Sequence, residues 1–334
     1  MFPIKIRIVN YKNDAINSSE TGEMKTIKVD NVEIILSHPV KFQGDWIGQG
    51  EPLRELLACW LVIAEGDLPL TPRLIGYPGI GKTTLAMAAA QKRGQEIYIM
   101  QCTSDTRPED LLVTPVLSDQ GKISYHASPL LSAAICGGIA ILDEGNRMSE
   151  KSWASLAGLF DNRRMAESVV AGITITAHKE FRAVVTMNED SSTFEIPDYI
   201  MSRLQPGIQI PFPNREDELR ILSYSLPFSD TGILDICVGY LQKAHDLDLP
   251  YSIRDGINAI RYSMKLKSAD SGADSEVLFK KAIVQILGED ALDLEALASK
   301  RKFSGEQIPS MNLGDFFFSD DDTLNPDSDE DPEK

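Results

Sequence analysis

The chain of 334 residues carries 50 acidic against 33 basic side chains, a net charge of −17. That balance disfavours nonspecific nucleic-acid binding through phosphate neutralisation, so protein partners are expected instead. No apolar run approaches the length of a membrane span; Leu56 to Ala64 is far too short. The length suits two domains plus appendages. Four cysteines, Cys59, Cys102, Cys136 and Cys237, stand far apart without metal-type spacing. The opening MFPIKIRIVN alternates charged and apolar residues, unlike a secretory signal. A cytoplasmic protein with reduced thiols is the expectation.

Residues 1–45 read as an N-terminal extension of β structure. Ile4, Ile6 and Ile8 alternate with Lys5 and Arg7, a half-buried strand pattern. Ile27-Lys28-Val29 and Val32-Glu33-Ile34 flank Asp30-Asn31, which predicts a hairpin with a two-residue turn. A helix follows over about Pro52 to Ala64, with Leu53, Leu56, Leu57 and Trp60 on one face. Arg73-Leu74-Ile75 then reads as a short buried strand.

That strand runs into GYPGIGKTT, which fits G-x-x-x-x-G-K-[ST] with Gly76, Gly81, Lys82 and Thr83 in the fixed places. Glycines let the backbone curl so that successive N–H groups point at a phosphate, where a side chain would block the approach. The wrapping segment offers Gly76, Pro78, Gly79, Ile80, Gly81, Lys82, Thr83 and Thr84 to the phosphates. Lys82 supplies a compact charge to the β- and γ-phosphates, and the Thr83 hydroxyl suits magnesium. The helix predicted from about Gly81 adds its positive dipole end. This chain is expected to bind a nucleoside triphosphate.

Glu96 to Gln101 reads as a second core strand, Pro108 to Leu112 as a helical turn, and Gly121 to His126 as part of a hairpin. A short helix over Leu130 to Cys136 is broken by Gly137-Gly138. His126 and His178 stand apart from other ligand types, so structural or solvated roles are expected. Ile139-Ala140-Ile141-Leu142-Asp143-Glu144 is a buried parallel strand ending in two carboxylates, 61 residues after Lys82. In phosphoryl transfer the first acid, Asp143, holds magnesium through water. The second, Glu144, orients or deprotonates the attacking water.

A helix over Glu150 to Asn162 is predicted, then a hairpin over Val169 to Ile175 turning at Ala171-Gly172. Phe181 to Asn188 is a further core strand. Asn188 at its end suits either the attacking water, a γ-phosphate oxygen or a plain turn. Ile196 to Leu204 is a short helix carrying Arg203, and Gly207 to Ile210 a last strand. Asn214 caps the next helix, with Glu216 and Asp217 in its first turn. Helices over about 214–225, 230–246, 253–267 and 274–286 predict a small all-helical second domain.

The polar tail from about 301 to 334 ends in nine acids against one lysine between Gly314 and Lys334. Its acidic end is expected to lack fixed structure. Phe316-Phe317-Phe318 within it reads either as a clamp onto the body or as a docking motif for a partner or neighbouring subunit.

The ordered motifs resemble an AAA+ ATPase of the MoxR and dynein-related branch over roughly Phe42 to Lys267. Trp46-Ile47-Gly48-Gln49 matches the family's V-G-Q segment, which implies adenine contacts at Gly48 and Gln49. Asp143-Glu144-Gly145-Asn146-Arg147 resembles D-E-x-N-R, with Gly145 where Ile is usual. Residues 106–131 resemble the branch's helix-2 insert and residues 169–175 its pre-sensor hairpin. Thr186-Met187-Asn188 looks like sensor 1, Arg203 sits where the arginine finger is expected, and Arg254 resembles sensor 2. The resemblance implies an α/β P-loop NTPase fold: a parallel sheet flanked by helices at 46–213, then a helical lid at 214–300. It also implies ATP and Mg2+ as cofactors, and a homo-oligomeric ring, with a hexamer as one option. In such a ring Arg203 completes the neighbour's site, with Arg147, Arg163 and Arg164 as competing intersubunit candidates.

A remodelling or activating ATPase on a protein client, a von Willebrand factor A domain being one option, is the leading expectation. The alternatives are a nucleic-acid-linked NTPase or GTPase subunit of a restriction or defence complex, and a nucleotide-gated scaffold.

Overall fold

The computed structural model describes residues 25–117, 121–188, 196–269 and 272–303. The strand expected around Ile4 to Ile8 and the Phe316-Phe317-Phe318 motif lie outside the described residues.

The N-terminal hairpin forms as predicted from β1 (Thr26–Val29) and β2 (Val32–Ile35). Asp30 and Asn31 take φ of +46° and +70°, the left-handed pair that a two-residue primed turn requires. Helix α1 (Gly50–Cys59) follows, then β3 (Arg73–Gly76), α2 (Lys82–Arg93), β4 (Ile97–Gln101) and the single turn α3 (Pro108–Leu111). An antiparallel pair, β5 (Val113–Leu117) and β6 (Ile123–Ala127), leads through α4 (Pro129–Cys136) to β7 (Ile139–Asp143). After α5 (Glu150–Leu156), the hairpin β8 (Met165–Ser168) and β9 (Ile173–Thr176) precedes β10 (Arg182–Asn188). The short α6 (Asp198–Met201) and β11 (Gly207–Gln209) complete this part.

Five strands make one parallel sheet in the order β11-β3-β10-β7-β4. Successive residues point to opposite faces, and both faces are covered. Val184, Ile139 and Ile141 pack with Leu56, Leu85 and Ala89 on one side. Val185, Ala140 and Leu142 pack with Leu131, Trp153 and Leu156 on the other. Every residue of β10 is buried, and its middle, Ala183-Val184-Val185, is a continuous apolar run rather than an alternation because both faces are covered. The register brings Asn188 opposite Gly76. The phosphate loop, the acidic strand end and the amide strand end therefore share one edge.

Four predicted elements differ from those observed, the helix expected over Ile196 to Leu204 being reduced to Asp198–Met201. Helix α1 stops at Cys59 rather than Ala64. The Trp60 carbonyl is taken by Arg182 Nε at 2.7 Å, while the indole donates to Ala183 O at 3.0 Å, so the chain is pulled out of its helical path. Helix α5 ends at Leu156 rather than Asn162, because Gly158 O instead accepts the Met165 N–H at 2.9 Å and starts the next hairpin. The first hairpin strand is Met165–Ser168, so Val169 and Val170 sit in the turn, 87% and 43% exposed. Gly172, with φ +65°, returns the chain.

The N-terminal hairpin also pairs where no local signal pointed. Strand β2 runs parallel to β6, giving a four-stranded sheet β1-β2-β6-β5 that joins the N-terminal stretch to the insert. Ile34 is fully buried in the core shared with Leu111, Leu130 and Leu131.

The C-terminal region is helical: α7 (Arg215–Ser225), α8 (Thr231–Asp246), α9 (Ile253–Ala269), α10 (Ser275–Leu287) and α11 (Leu294–Phe303). Asn214 caps α7 as predicted, accepting the Asp217 N–H at 2.9 Å. Leu222, Val238, Leu241, Ile260 and Ile283 form a core separate from those of the sheet. The sequence reading named no helix over Leu294 to Phe303. Its apolar contribution to a core is small, Leu294 and Ala298 against Ala244 and Leu249.

Glu218 is fully buried in this region, with one carboxylate oxygen accepting from Gln242 Nε2 at 2.9 Å and the other without a hydrogen-bond donor. Burial pushes its carboxyl from the ordinary 4.5 up to about 7, and the Gln242 hydrogen bond and Arg215 charge only partly oppose this. The folded state therefore holds a proton that the unfolded chain releases. Stability is full below pH 4.5 and falls as pH rises through about 7. The loss should reach about 3 kcal/mol at most. Glu218→Gln should flatten this slope and raise stability at pH 8, as read by urea unfolding at pH 5 and pH 8.

Candidate active site

The phosphate loop crosses from the tip of β3 to α2 and presses against the start of α9. A Cβ at Gly79, where φ is +82°, would stand 2.5 Å from Ser252 Oγ and 2.9 Å from Arg254 Cβ. Only glycine fits there, and the contact brings the helical region over the loop. Gly81 caps α2 with φ +99°. Lys82 is buried, and its ammonium donates to Gly76 O and Tyr77 O, both at 2.8 Å. The charge is thus held in place by the loop's own carbonyls.

Thr83 Oγ1 donates to Asp143 Oδ1 at 2.6 Å, and Thr186 Oγ1 donates to the same oxygen at 2.7 Å. Thr186 also accepts the Glu144 N–H at 2.9 Å, so one hydroxyl ties both acids to β10. The Thr83 hydroxyl beside the Asp143 carboxylate is an all-oxygen donor pair, the hard-ligand chemistry that suits Mg2+ with phosphates and water. Among the described residues no group of three or more His, Cys, Asp or Glu is placed to hold a metal by itself.

Glu144 has φ +57°, a left-handed conformation unusual for a side chain of this kind. Its Oε1 accepts from Asn188 Nδ2 at 3.1 Å, and its Oε2 lies 2.7 Å from Arg147 Nε. Asn146 anchors the following 3-10 turn to β10, donating from Nδ2 to Asn188 O at 2.9 Å. A Cβ at Gly145 would stand 2.4 Å from Val185 Cγ1 and 3.2 Å from Trp153, which leaves no room for the Ile usual in the resembled family. In the sequence Asn146 and Thr186 enter only as members of the D-E-x-N-R and sensor 1 stretches, with no role of their own. Their signal is their strand-tip position beside the acids, visible once the register is known.

A cavity of about 600 Å³ opens over this constellation. Pro78 to Thr84, Asp143, Glu144 and Asn188 line it from the sheet side, and Arg254 with Tyr224 and Asn258 from the helical region. Trp46 and Ile47 close one end. Gly76 lies beneath the loop, where a Cβ would meet Ile80 and the Ile210 carbonyl. Gly48 and Gln49 are not among the residues that line the cavity, whereas Trp46 and Ile47 are; the Trp46 indole donates to Gln49 O at 2.9 Å.

Arg203 is elsewhere. It lines a different cavity of about 960 Å³, together with Asp161, Arg163 and Leu70. Its guanidinium donates to Tyr199 O and lies 3.6 Å from Asp161 Oδ2. Of the other arginines singled out, Arg163 pairs with Asp161, Arg164 donates to His178 O and Phe181 O, and Arg147 is engaged with Glu144.

A parallel sheet presenting a glycine-rich loop, a strand-tip Asp-Glu pair and a strand-tip Asn beneath a helical cap defines a P-loop NTPase fold of the AAA+ class. Residues 73–204 match the AAA domain (dynein-related subfamily). Protein MoxR of Methylorubrum extorquens is 28% identical over 195 residues, 56% of this chain and 52% of MoxR. Protein CbbQ of Hydrogenophilus thermoluteolus is 29% identical over 115 residues, 34% of this chain and 43% of CbbQ. The chain thus spans about half the length of these relatives or less. A solved chain of the Thermotoga maritima RuvB Holliday junction branch migration motor superposes with a TM-score of 0.46 at 14% identity, over 71% of this chain and 69% of that one. No helix among the described residues is long and apolar enough to cross a membrane.

Proposed function

We propose that the protein hydrolyses ATP as an oligomer and uses the cycle to remodel or activate a protein partner. One observation carries this reading: Lys82, Thr83, Asp143, Glu144, Asn188 and Arg254 face a single cavity, whereas Arg203 lines another. The site is equipped to bind a triphosphate, and Arg203, the arginine expected to stabilise charge on the transferred group, is not among the residues that line it within one copy.

In this reading the loop amides and Lys82 hold the β- and γ-phosphates. Thr83 and Asp143 would hold magnesium, which neutralises charge on the phosphate oxygens when bound. Glu144 orients or deprotonates water, Asn188 positions that water or a γ-phosphate oxygen, and Arg254 contacts the nucleotide from the helical cap. Arg203 of one copy reaches the nucleotide of the next. Residues 46–213 act as the nucleotide-binding unit and the helices from 214 as its lid, so that lid movement transmits hydrolysis to a bound protein. The acidic balance of the chain supports a protein client over nucleic acid.

The test is steady-state hydrolysis and sedimentation of the full chain with Mg-ATP. Turnover should rise with protein concentration alongside assembly, and Glu144→Gln should keep ATP bound, remove turnover and stabilise the assembly for capture of the client. Nucleotide binding without any turnover or assembly would leave only a nucleotide-binding protein.

A further inference from the structure

We propose that residues 315–322 of the chain's own tail dock on an apolar and basic surface formed by the loop 61–70 and the arginines beside it. That loop, between α1 and β3, exposes Leu61, Val62, Ile63, Leu68 and Leu70 by 54%, 47%, 85%, 39% and 52%. Apolar side chains gathered in one place mark an interaction surface, whereas scattered ones do not. Two cavities of about 960 and 620 Å³ adjoin the loop and share Asp67, Asn162 and Arg182 in their walls. Six bases, Arg93, Arg163, Arg164, Lys179, Arg182 and Arg203, line them against three acids, Asp67, Asp161 and Glu180. On a chain with a net charge of −17 this is a positive face. Its acids are spent locally: Asp161 holds Arg163 and lies 3.6 Å from Arg203, and Asp67 accepts the Ile63 N–H at 2.8 Å. Arg164 donates to His178 O and Phe181 O and Arg93 to the Gln95 side-chain oxygen, so among the described residues neither charge is met by a carboxylate. Burial lowers the Arg182 pKa first, and the charges of Arg93 and Arg164 add to this against Glu180.

Charge and composition select the occupant. Residues 315–322, DFFFSDDD, carry three adjacent phenylalanines among four aspartates and no base. Phenylalanine rings suit both the exposed aliphatic side chains and the guanidinium planes, and aspartates suit arginines without a carboxylate partner. Helix α11 ends at Phe303, so residues 304–315 separate it from Phe316. A dozen extended residues span about 40 Å. A compact body of this size has a radius of gyration of about 19 Å, so the segment can cross its own copy. A tail seated there covers the cavity that holds Arg203 and competes with any other copy for that arginine, a consequence that rests on the role proposed for Arg203 above.

The test titrates a fluorescent peptide of residues 312–326 into full chains and reads anisotropy. The chain carrying Phe316→Ala, Phe317→Ala and Phe318→Ala should bind the peptide saturably and about fivefold or more tightly than wild type, whose tethered tail competes at high effective concentration. Adding Leu70→Asp and Lys179→Glu to that chain should weaken binding by about tenfold or more, since apolar burial and a charge contact are both lost. Neither residue lines the nucleotide cavity, so Mg-ATP affinity should hold and reports that the fold is kept. Equal binding by wild type and the Phe variant, equal binding of a scrambled peptide, or preference for a single-stranded oligonucleotide each overturns the docking. Competition that disappears on dilution puts the tail on a neighbouring copy and overturns docking within one chain. Sedimentation reads the consequence: with Mg-ATP the Phe variant should assemble at a severalfold lower concentration than wild type. An unchanged threshold with docking intact overturns the competition for Arg203. Failure of every chain to assemble overturns the oligomeric reading instead and leaves the docking supported by the peptide result.

Discussion

Arg203→Ala should leave Mg-ATP affinity unchanged and lower turnover by about 10³- to 10⁵-fold, the range measured for arginine fingers. Such a loss is about 4 to 7 kcal/mol of barrier. Binding should survive because Arg203 has no place in the wall of the cavity that holds Lys82 and Asp143. The fold should survive too, since among the described residues the side chain makes a carbonyl contact with Tyr199, a 3.6 Å approach to Asp161 and a face-on contact with the Tyr199 ring. Partly exposed contacts of this sort contribute about 1 kcal/mol or less. Calorimetry, thermal unfolding and steady-state hydrolysis separate the three effects. Mixing Arg203→Ala with Glu144→Gln should restore some activity, because a hybrid interface then joins an intact base to an intact guanidinium. No recovery, together with wild-type turnover that is indifferent to dilution, would show that the site is complete within one chain.

Lys82→Ala should abolish measurable nucleotide binding. The ammonium is fixed between Gly76 O and Tyr77 O at 2.8 Å each and is buried, so it meets a phosphate already desolvated and oriented. Charge-assisted hydrogen bonds of this type contribute about 1.5 to 3 kcal/mol each. Losing two of them weakens affinity by about 10²- to 10⁴-fold. The substitution also leaves two loop carbonyls without their donor, so the loop that presents the amides should loosen. Lys82→Arg is the informative control: it keeps the charge but replaces a compact point with a planar fork that the Gly76 and Tyr77 carbonyls are not arranged to receive. Heat from Mg-ATP titrated into Lys82→Ala at near wild-type strength would mean that the triphosphate is held elsewhere.

Much of the architecture was legible because short-range chemistry decided it. GYPGIGKTT dictates its own backbone, since Gly79 and Gly81 take left-handed angles that other residues resist. The apolar run Ile139 to Leu142 needs burial on both faces, and Asn214 supplies its own helix cap. Element ends were less legible. Helix α1 continues or stops according to whether the Trp60 carbonyl bonds along the helix or to Arg182, and Arg182 lies 122 residues away in the chain.

By itself, the sequence determined that a phosphate-binding loop enters a helix, that two acids end a buried strand, and that helices follow. Those features rest on neighbours a few residues apart. Only the tertiary structure decided which groups meet. It joined the N-terminal hairpin to the insert through β2 and β6, and stacked Tyr77 on Phe212 and Phe212 on His245, linking the phosphate loop to α8. It also set Glu144 between Asn188 and Arg147, and placed Arg203 in a different cavity from Lys82 and Asp143. Contacts of this kind depend on sheet order and crossover direction, which bring distant residues together and which no local pattern encodes.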